Sequence, residues 1–252
     1  MRNVNWTNLK ENCIHSEYPV KRGLCFTLTE LSHILLFIFG ICFLPAWAKP
    51  KGISDYSGNY RDLERASLLE ENDWRRACNN TDNNILDAGT AHPYLKISWD
   101  RKTFAHEAQP QRLSPNPERF DLIVCVLGSE GFSSGKHYWE VDVGTSTDWD
   151  LGGARKSTQR KGKLSFSTRE GFWIMGLCGS NYWAKTAPWT AVMVQEKPKK
   201  IGVYLSCQQG QVTFFSVTDG TPVLTFNDCS FSGKFYPFFR NSHKETTMRI
   251  CS

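Results

Sequence analysis

The residues Trp139-Glu140-Val141-Asp142-Val143 alternate apolar and polar side chains, and this alternation decides the fold class. Residues two apart lie on the same face of a β-strand. We therefore expect Trp139, Val141 and Val143 to face the protein interior together, while Glu140 and Asp142 face water. The stretch predicts a half-buried strand.

Similar short runs recur along the second half of the chain, at Leu95–Trp99, Ile201–Leu205, Val212–Val217, Val223–Phe226 and Phe235–Phe239. Turn-forming residues separate them, at Ser114-Pro115-Asn116-Pro117, Gly128–Gly135, Gly152-Gly153, Gly179-Ser180-Asn181, Gln209-Gly210 and Thr218-Asp219-Gly220. Many short strands with frequent turns and no interleaved helices favour an all-β antiparallel sandwich.

The composition supports a folded protein that does not bind nucleic acid. Of 252 residues, 40% are hydrophobic and 13% aromatic, which suits the core of a β-sandwich. The formal net charge is +5, but the Lys and Arg residues are scattered rather than concentrated in a dense basic run. Nine cysteines form no C-x-x-C pair and no zinc-ligand spacing with His, so we favour free buried thiols and expect no metal or cofactor.

The segment Leu31–Ala48 (LSHILLFIFGICFLPAWA) has three interpretations. Its apolar run is short for a bilayer span and ends in Ala46-Trp47-Ala48, which favours a signal peptide cleaved between Ala48 and Lys49. The long stretch before the run argues against a signal peptide. A single membrane anchor is the alternative, and the excess of Lys and Arg after the run would then place the C-terminal domain in the cytosol. A buried core segment is the third interpretation.

Two N-x-[ST] sequons lie on either side of this run, at Asn5 and at Asn79. A cleaved signal peptide would expose only Asn79 to the glycosylation machinery, whereas an anchor with a cytosolic C-terminus would expose only Asn5. Residues 49–84 read as a linker that contains one short helix, Tyr60–Ala77, because its apolar residues fall near helical spacing.

Ordered motifs in residues 85–252 resemble a PRY–SPRY domain. The opening is Leu86-Asp87 with Thr90-Ala91-His92-Pro93-Tyr94-Leu95. There follow Asn116-Pro117-Glu118-Arg119-Phe120-Asp121, Gly131-Phe132-Ser133-Ser134-Gly135-Lys136-His137-Tyr138-Trp139-Glu140-Val141, Asp148-Trp149-Asp150-Leu151-Gly152 and Asp228-Cys229-Ser230-Phe231-Ser232-Gly233. This domain is found at the C-terminus of butyrophilins and of many tripartite-motif proteins. It is found without other domains in secreted vespryns, the ohanin-like proteins of reptile venom.

The resemblance implies two bent antiparallel sheets, protein recognition through loops at one end, and free buried thiols at Cys125 and Cys229. Some positions depart from the usual family pattern: Leu86-Asp87-Ala88 replaces Leu-Asp-Pro, and Leu205-Ser206-Cys207-Gln208 lacks an acidic pair.

No motif in the sequence predicts a catalytic site once its neighbouring residues are considered. Gly131-Phe132-Ser133-Ser134-Gly135 matches the G-x-S-x-G pattern of a nucleophile elbow, but that pattern requires a following helix, and a strand is expected from Lys136 onward. We interpret the motif as a turn and expect no catalytic activity.

The recognition surface implied by the family comprises the loop around Trp99–Gln109, the connection Thr145–Asp150 and the turn Gly179–Trp183. Within these segments we expect Trp99, Tyr182 and Trp183 to bind the partner, since aromatic residues dominate binding hot spots, and Trp149 to be buried. Arg155 and Arg160, from the basic cluster 155–163, are expected at the rim, although a solvated loop is the favoured explanation of the cluster as a whole.

Two functions remain open from the sequence. The first is a secreted, vespryn-like binding protein, a venom or toxin component, that acts as a monomer on an extracellular protein. The alternative is a membrane-tethered, butyrophilin-like protein whose cytosolic PRY–SPRY domain binds a protein or a small anionic ligand in immune regulation. Contact with a membrane is expected only if Leu31–Ala48 is retained as an anchor.

Overall fold

The computed structural model describes residues 73–251, all of which lie in one compact unit. Thirteen strands lie within these residues. They are β1 (Leu95–Ile97), β2 (Thr103–His106), β3 (Cys125–Leu127), β4 (Lys136–Asp142), β5 (Asp148–Arg155), β6 (Phe172–Cys178), β7 (Asn181–Ala184), β8 (Thr190–Val192), β9 (Lys200–Ser206), β10 (Gln211–Ser216), β11 (Thr221–Phe226), β12 (Phe235–Asn241) and β13 (Thr247–Cys251).

The strands form two antiparallel sheets, which confirms the predicted all-β sandwich. The seven-stranded sheet has the order β1-β2-β13-β4-β9-β10-β11, and the six-stranded sheet has the order β3-β12-β5-β6-β7-β8. Each strand predicted from an alternating run overlaps an observed one, and the structure adds strands the sequence left unassigned, among them β2, β6, β8 and β13.

The main core fills the space between the two sheets. Trp139, Val141 and Val143 are fully buried in one cluster, which confirms that they face inward together. Trp149 of β5 joins them from the other sheet and is also fully buried, as expected.

The Gly152-Gly153 pair corrects one prediction, because it lies in the middle of β5 and not in a turn. A β-carbon on Gly152 would stand 2.2 Å from the carbonyl oxygen of Trp173, and one on Gly153 would stand 1.8 Å from the ring of Phe235. Glycine is therefore required by the close approach of neighbouring groups. The strand passes through this point because it has no side chains there.

A second, smaller core covers part of the outer face of the six-stranded sheet. It contains Phe120, Cys125, Leu127, Ala154, Phe172, Ile174 and Phe238, and Leu164 and Phe166 pack against it. Along β6 the side chains of Phe172 and Ile174 enter this outer core, whereas Trp173 and Met175 enter the main core. This sheet is therefore apolar on both faces over part of its area.

The segment before residue 85 contacts the outer face of the seven-stranded sheet. Residues 73–78 are helical, in the described part of the predicted helix, and Ala77 is buried against Tyr138 and Phe215. The Trp74 indole N–H donates to the Tyr138 hydroxyl at 3.4 Å, while Asn79 of the sequon is exposed. The predicted segment Leu31–Ala48, the linker from residue 49 to 72 and Asn5 lie outside the described residues. Within residues 73–251 no helix is both long and apolar enough to cross a bilayer.

Cys125 and Cys229 are both free thiols, as predicted. Cys125 is buried as predicted, and Cys229 is half-buried. Burial raises the pKa of both thiols, that of Cys229 to about 11, so both stay protonated and unreactive near neutral pH.

Replacement of Trp139 by alanine should lower the free energy of unfolding by about 3–5 kcal/mol, because it leaves a large cavity between the sheets. Against a typical total of about 5–15 kcal/mol, this loss is severe. Chemical denaturation of the full chain measures it. The matched control is Trp99→Ala, since Trp99 is 99% exposed and its loss should change stability by less than about 0.5 kcal/mol. Equal effects of the two substitutions would contradict the inward placement of Trp139.

Candidate functional site

A cluster of four charged side chains lies on the outer face of the six-stranded sheet, beside the smaller core. Arg240 of β12 places Nη1 2.6 Å from Asp150 Oδ2 and 3.0 Å from Asp148 Oδ1. Lys185 places Nζ 3.3 Å from the other carboxylate oxygen of Asp150. Asp150 is only 1% exposed, so one buried carboxylate joins two cations. We call these four residues the charged cluster.

The backbone of β6 makes room for this cluster. Gly176 pairs with Asp150 on one side and with Trp183 on the other. A β-carbon on Gly176 would stand 1.9 Å from Asp150 Oδ1 and 3.0 Å from Lys185 Cε. Any larger residue would push the carboxylate and the ammonium apart, so glycine is required for their contact.

The ion pairs set the charge state of the cluster. Burial alone lowers the pKa of Arg240, but the charges of Asp150 and Asp148, together with their hydrogen bonds, outweigh this and raise it. Arg240 therefore remains cationic at every accessible pH. The two cations and two carboxylates balance, as is required of charges held largely out of water.

Two tryptophan side chains border the charged cluster. The Lys185 ammonium lies 3.3 Å from the centre of the Trp189 ring, a cation–π contact. The Trp189 indole N–H donates to the Phe166 carbonyl at 3.3 Å, and the side chain remains 37% exposed. Trp183 of β7 is half-buried and lies directly across from Gly176. We call Trp183, Trp189 and the charged cluster together the outer-face site.

Of the aromatic residues predicted to bind a partner, only Trp183 lies at this site. Tyr182 is a correction: it lies in strand β7 rather than in an exposed loop, and it is only 8% exposed. Its ring meets Trp149 edge-on, with centroids 6.1 Å apart, inside the main core. Adjacent strand residues point to opposite faces, so the position of Trp183 on the outer face directs Tyr182 towards the main core.

Trp99 also lies away from the other predicted segments. Through β13, Thr103 of β2 lies level with Asp142 of β4, so the turn that precedes Thr103 extends back towards the start of β4. The 145–150 connection, in contrast, follows the end of β4. That connection does meet the Gly179 turn, since the Gly179 N–H donates to the Thr147 carbonyl at 2.8 Å. Two of the three predicted recognition segments are therefore brought together. The third runs along β2: its His106 end pairs with Glu245 and Thr246, close to the 145–150 connection, whereas Trp99 lies at the opposite end of β2.

The two predicted rim arginines have structural contacts. Arg160 is buried: it donates to the carbonyls of Thr158 and Lys156, both at 3.0 Å, and lies over the Phe120 ring. This placement corrects the expectation of a rim residue. Arg155, at the far end of β5 from Asp148, is half-buried, lies over the Trp173 ring and donates to the Ser230 carbonyl at 2.7 Å. Both arginines therefore stabilise loops of the domain itself.

The G-x-S-x-G motif forms a turn, as predicted. Residues 133–135 bend, Gly135 has a φ of 85°, and β4 begins at Lys136, so no helix presents the serine. Among residues 73–251 no three His, Cys, Asp or Glu side chains are grouped as metal ligands.

Sequence reasoning missed Lys185, Arg240 and Trp189. A signal was present for the cluster itself, because Asp148 and Asp150 flank the buried Trp149 at strand spacing and must share the opposite face. Two carboxylates beside a sheet that is apolar on both faces require cations, but pattern alone does not say which ones.

Comparison with known proteins agrees with the fold and the motif order. A family model for the SPRY-associated domain matches residues 85–132, and one for the SPRY domain matches residues 136–251. Butyrophilin subfamily 1 member A1 of Bos taurus is 42% identical over 175 residues, which cover 69% of this chain and 33% of that protein. Butyrophilin subfamily 2 member A2 of Mus musculus is 36% identical over 232 residues, which cover 91% of this chain and 45% of that protein. The chain thus spans less than half the length of these relatives.

Solved structures share the architecture. The crystal structure of the TRIM65 PSpry domain superposes with a TM-score of 0.61 at 22% identity, covering 71% of this chain and 94% of that one. The stonustoxin structure superposes with a TM-score of 0.60 at 24% identity, covering 68% of this chain and 29% of that one. At such identities the likeness shows the fold alone.

Replacement of Asp150 by asparagine should destabilise the protein by about 3 kcal/mol or more, because it leaves Lys185 without a carboxylate partner in a buried setting. Thermal or chemical denaturation measures the loss. Glu107→Gln is the matched control, since it removes the same charge from an exposed pair with Lys96 and should cost less than about 1 kcal/mol. If Asp150→Asn proved as mild as this control, the cluster would not be the buried network described.

Proposed function

Residues 85–251 are a PRY–SPRY domain, so the chain belongs to that family of protein-interaction modules, and on this premise we propose that it recognises a protein partner through the outer-face site. The observation that carries the proposal is the pair of partly exposed tryptophans, Trp183 and Trp189, beside a buried ion cluster. Aromatic side chains backed by desolvated charges are typical of binding hot spots.

The site is suited to a partner that combines an apolar side chain with polar groups. The ring faces of Trp183 and Trp189 offer apolar area at little cost in conformational entropy, because each side chain has only two rotatable bonds and the Trp189 ring is already held by its hydrogen bond to the Phe166 carbonyl. Asp148, whose side chain is 35% exposed, offers an acceptor whose position is fixed by Arg240. Such preorganisation lowers the cost of binding.

We further propose that the chain is a membrane-tethered, butyrophilin-like protein rather than a secreted, vespryn-like one. The match to the Mus musculus butyrophilin covers 91% of the chain, whereas residues 73–252 make up only about 71%, so the likeness extends upstream of the described domain. Ala46-Trp47-Ala48 and the apolar run before it support the secreted alternative, with cleavage between Ala48 and Lys49.

Alanine at Trp189 should weaken partner binding by about 30-fold or more, equivalent to at least about 2 kcal/mol, and Trp183→Ala should act in the same direction. Proteins crosslinked to the full chain in cells and quantified by mass spectrometry supply the readout, with Trp99→Ala as the matched control at the opposite end of the sandwich. Unchanged melting temperatures show that the variants fold. The surface is wrongly assigned if both variants retain their partners and Trp99→Ala loses them.

The two placements of the chain predict different glycans. A tethered protein with a cytosolic domain should carry a glycan on Asn5 and none on Asn79, whereas a secreted protein should carry one on Asn79, which is exposed in the structure. Asn5→Gln and Asn79→Gln variants, compared before and after enzymatic glycan removal, identify the occupied site. Recovery of a product beginning at Lys49 from the medium would refute the tether.

A further inference from the structure

Three of the four sheet edges are closed by neighbouring groups or by proline. At β3, the Asp87 N–H donates to the Leu127 carbonyl at 2.9 Å and the His92 N–H to the Cys125 carbonyl at 3.0 Å. Each closed edge removes the backbone groups that would pair with a foreign strand.

The remaining two closed edges belong to the seven-stranded sheet. At β1, the side-chain amide of Gln111 donates to the Leu95 carbonyl at 2.8 Å, and the Gln111 N–H donates to the Pro93 carbonyl at 2.9 Å. At β11, Pro222 lies inside the strand and has no N–H to offer.

Strand β8 is the exception. It pairs with β7, and among residues 73–251 no other segment donates a backbone hydrogen bond to, or accepts one from, the backbone of Thr190–Val192. The run from residue 187 to 195 contains no charged residue, and thus no gatekeeper of the kind that protects exposed edges. An edge of this kind is complementary to another extended backbone.

The side chains of β8 and of the residues on either side of it add an apolar stripe to the free edge. Val192 and Val194 pack against the main core, so the alternate residues Trp189, Ala191 and Met193 face outward. Ala191 is exposed and Met193 is 92% exposed, an unusual degree for a large apolar side chain.

We propose that β8 pairs with β8 of a second copy of this chain, antiparallel and in register about Ala191. This register sets Trp189 of each copy opposite Met193 of the other, so the two exposed apolar residues cover each other twice. Methionine sulfur packs favourably against an aromatic ring, and the absence of charge from 187 to 195 means that no like charges meet across the two-fold axis. The pairing joins two six-stranded sheets into one of twelve strands, in place of the monomer expected from the sequence.

The register makes a charge-swap experiment possible. Ala191 of one copy faces Ala191 of the other, with β-carbons about 5 Å apart, so Ala191→Lys and Ala191→Glu should each raise the dimer dissociation constant about tenfold through like-charge repulsion. An equimolar mixture of the two variants should restore association, because opposite charges then meet. The full chain is studied by size-exclusion chromatography with light scattering over a range of concentrations. Thr221→Lys, on the exposed start of the β11 edge, is the matched control and should associate as the wild type does.

The result that supports pairing is a concentration-dependent wild-type dimer that both charge variants weaken and their mixture restores. A wild-type chain that stays monomeric overturns the proposal and leaves the edge to an extended segment of another protein. Association that is unaffected by the Ala191 variants, or weakened by both but not restored in the mixture, overturns it as well. Partner capture through Trp183 is measured separately, so failure here leaves the proposed recognition function standing.

Discussion

The apolar core between the two sheets determines the arrangement of the rest of the structure. Trp139 on β4 and Trp149 on β5 fill it from opposite sides, and both are fully buried. Because strand side chains alternate, fixing Trp149 inside forces Asp148 and Asp150 to the outer face. That face is partly covered by the smaller core, so the buried Asp150 carboxylate cannot be stabilised by water and requires Lys185 and Arg240. The charged cluster is thus a consequence of packing between the sheets.

The architecture could be predicted from the sequence because alternation reports directly on burial. Trp139, Val141 and Val143 follow a period of two, and one buried face follows from it. The same reasoning failed at Gly152-Gly153, where two glycines read as a turn. Their role depends on Phe235 and on the Trp173 carbonyl, which approach from strands distant in sequence. A glycine kept for space and a glycine kept for a turn look alike in one sequence.

The candidate site was harder to predict because it depends on which face of a strand a residue occupies. Tyr182 and Trp183 are adjacent and equally aromatic, yet one belongs to the core and the other to the surface. Strand β7 is only four residues long, so its sequence pattern does not show which of its residues face the core. Arg160 was misplaced for a related reason: its segment folds back over the smaller core, where Phe120 and backbone carbonyls bind its guanidinium. Charge alone did not reveal this fold-back.

Trp189 connects the outer-face site to the free edge of β8. Its ring covers the Lys185 ammonium on one side, and its position next to Thr190 places it opposite Met193 in the proposed pairing. A group shared by two binding surfaces couples them, and the coupling is reciprocal. If β8 pairing changes the affinity for the partner by some factor, the partner changes the affinity of β8 pairing by the same factor. If pairing holds the Trp189 ring where a partner needs it, the two events assist each other. If the partner needs the ring face that Met193 covers, β8 pairing and partner binding exclude each other. The sign of this coupling therefore distinguishes a dimer that binds two partners from a dimer that a partner dissociates.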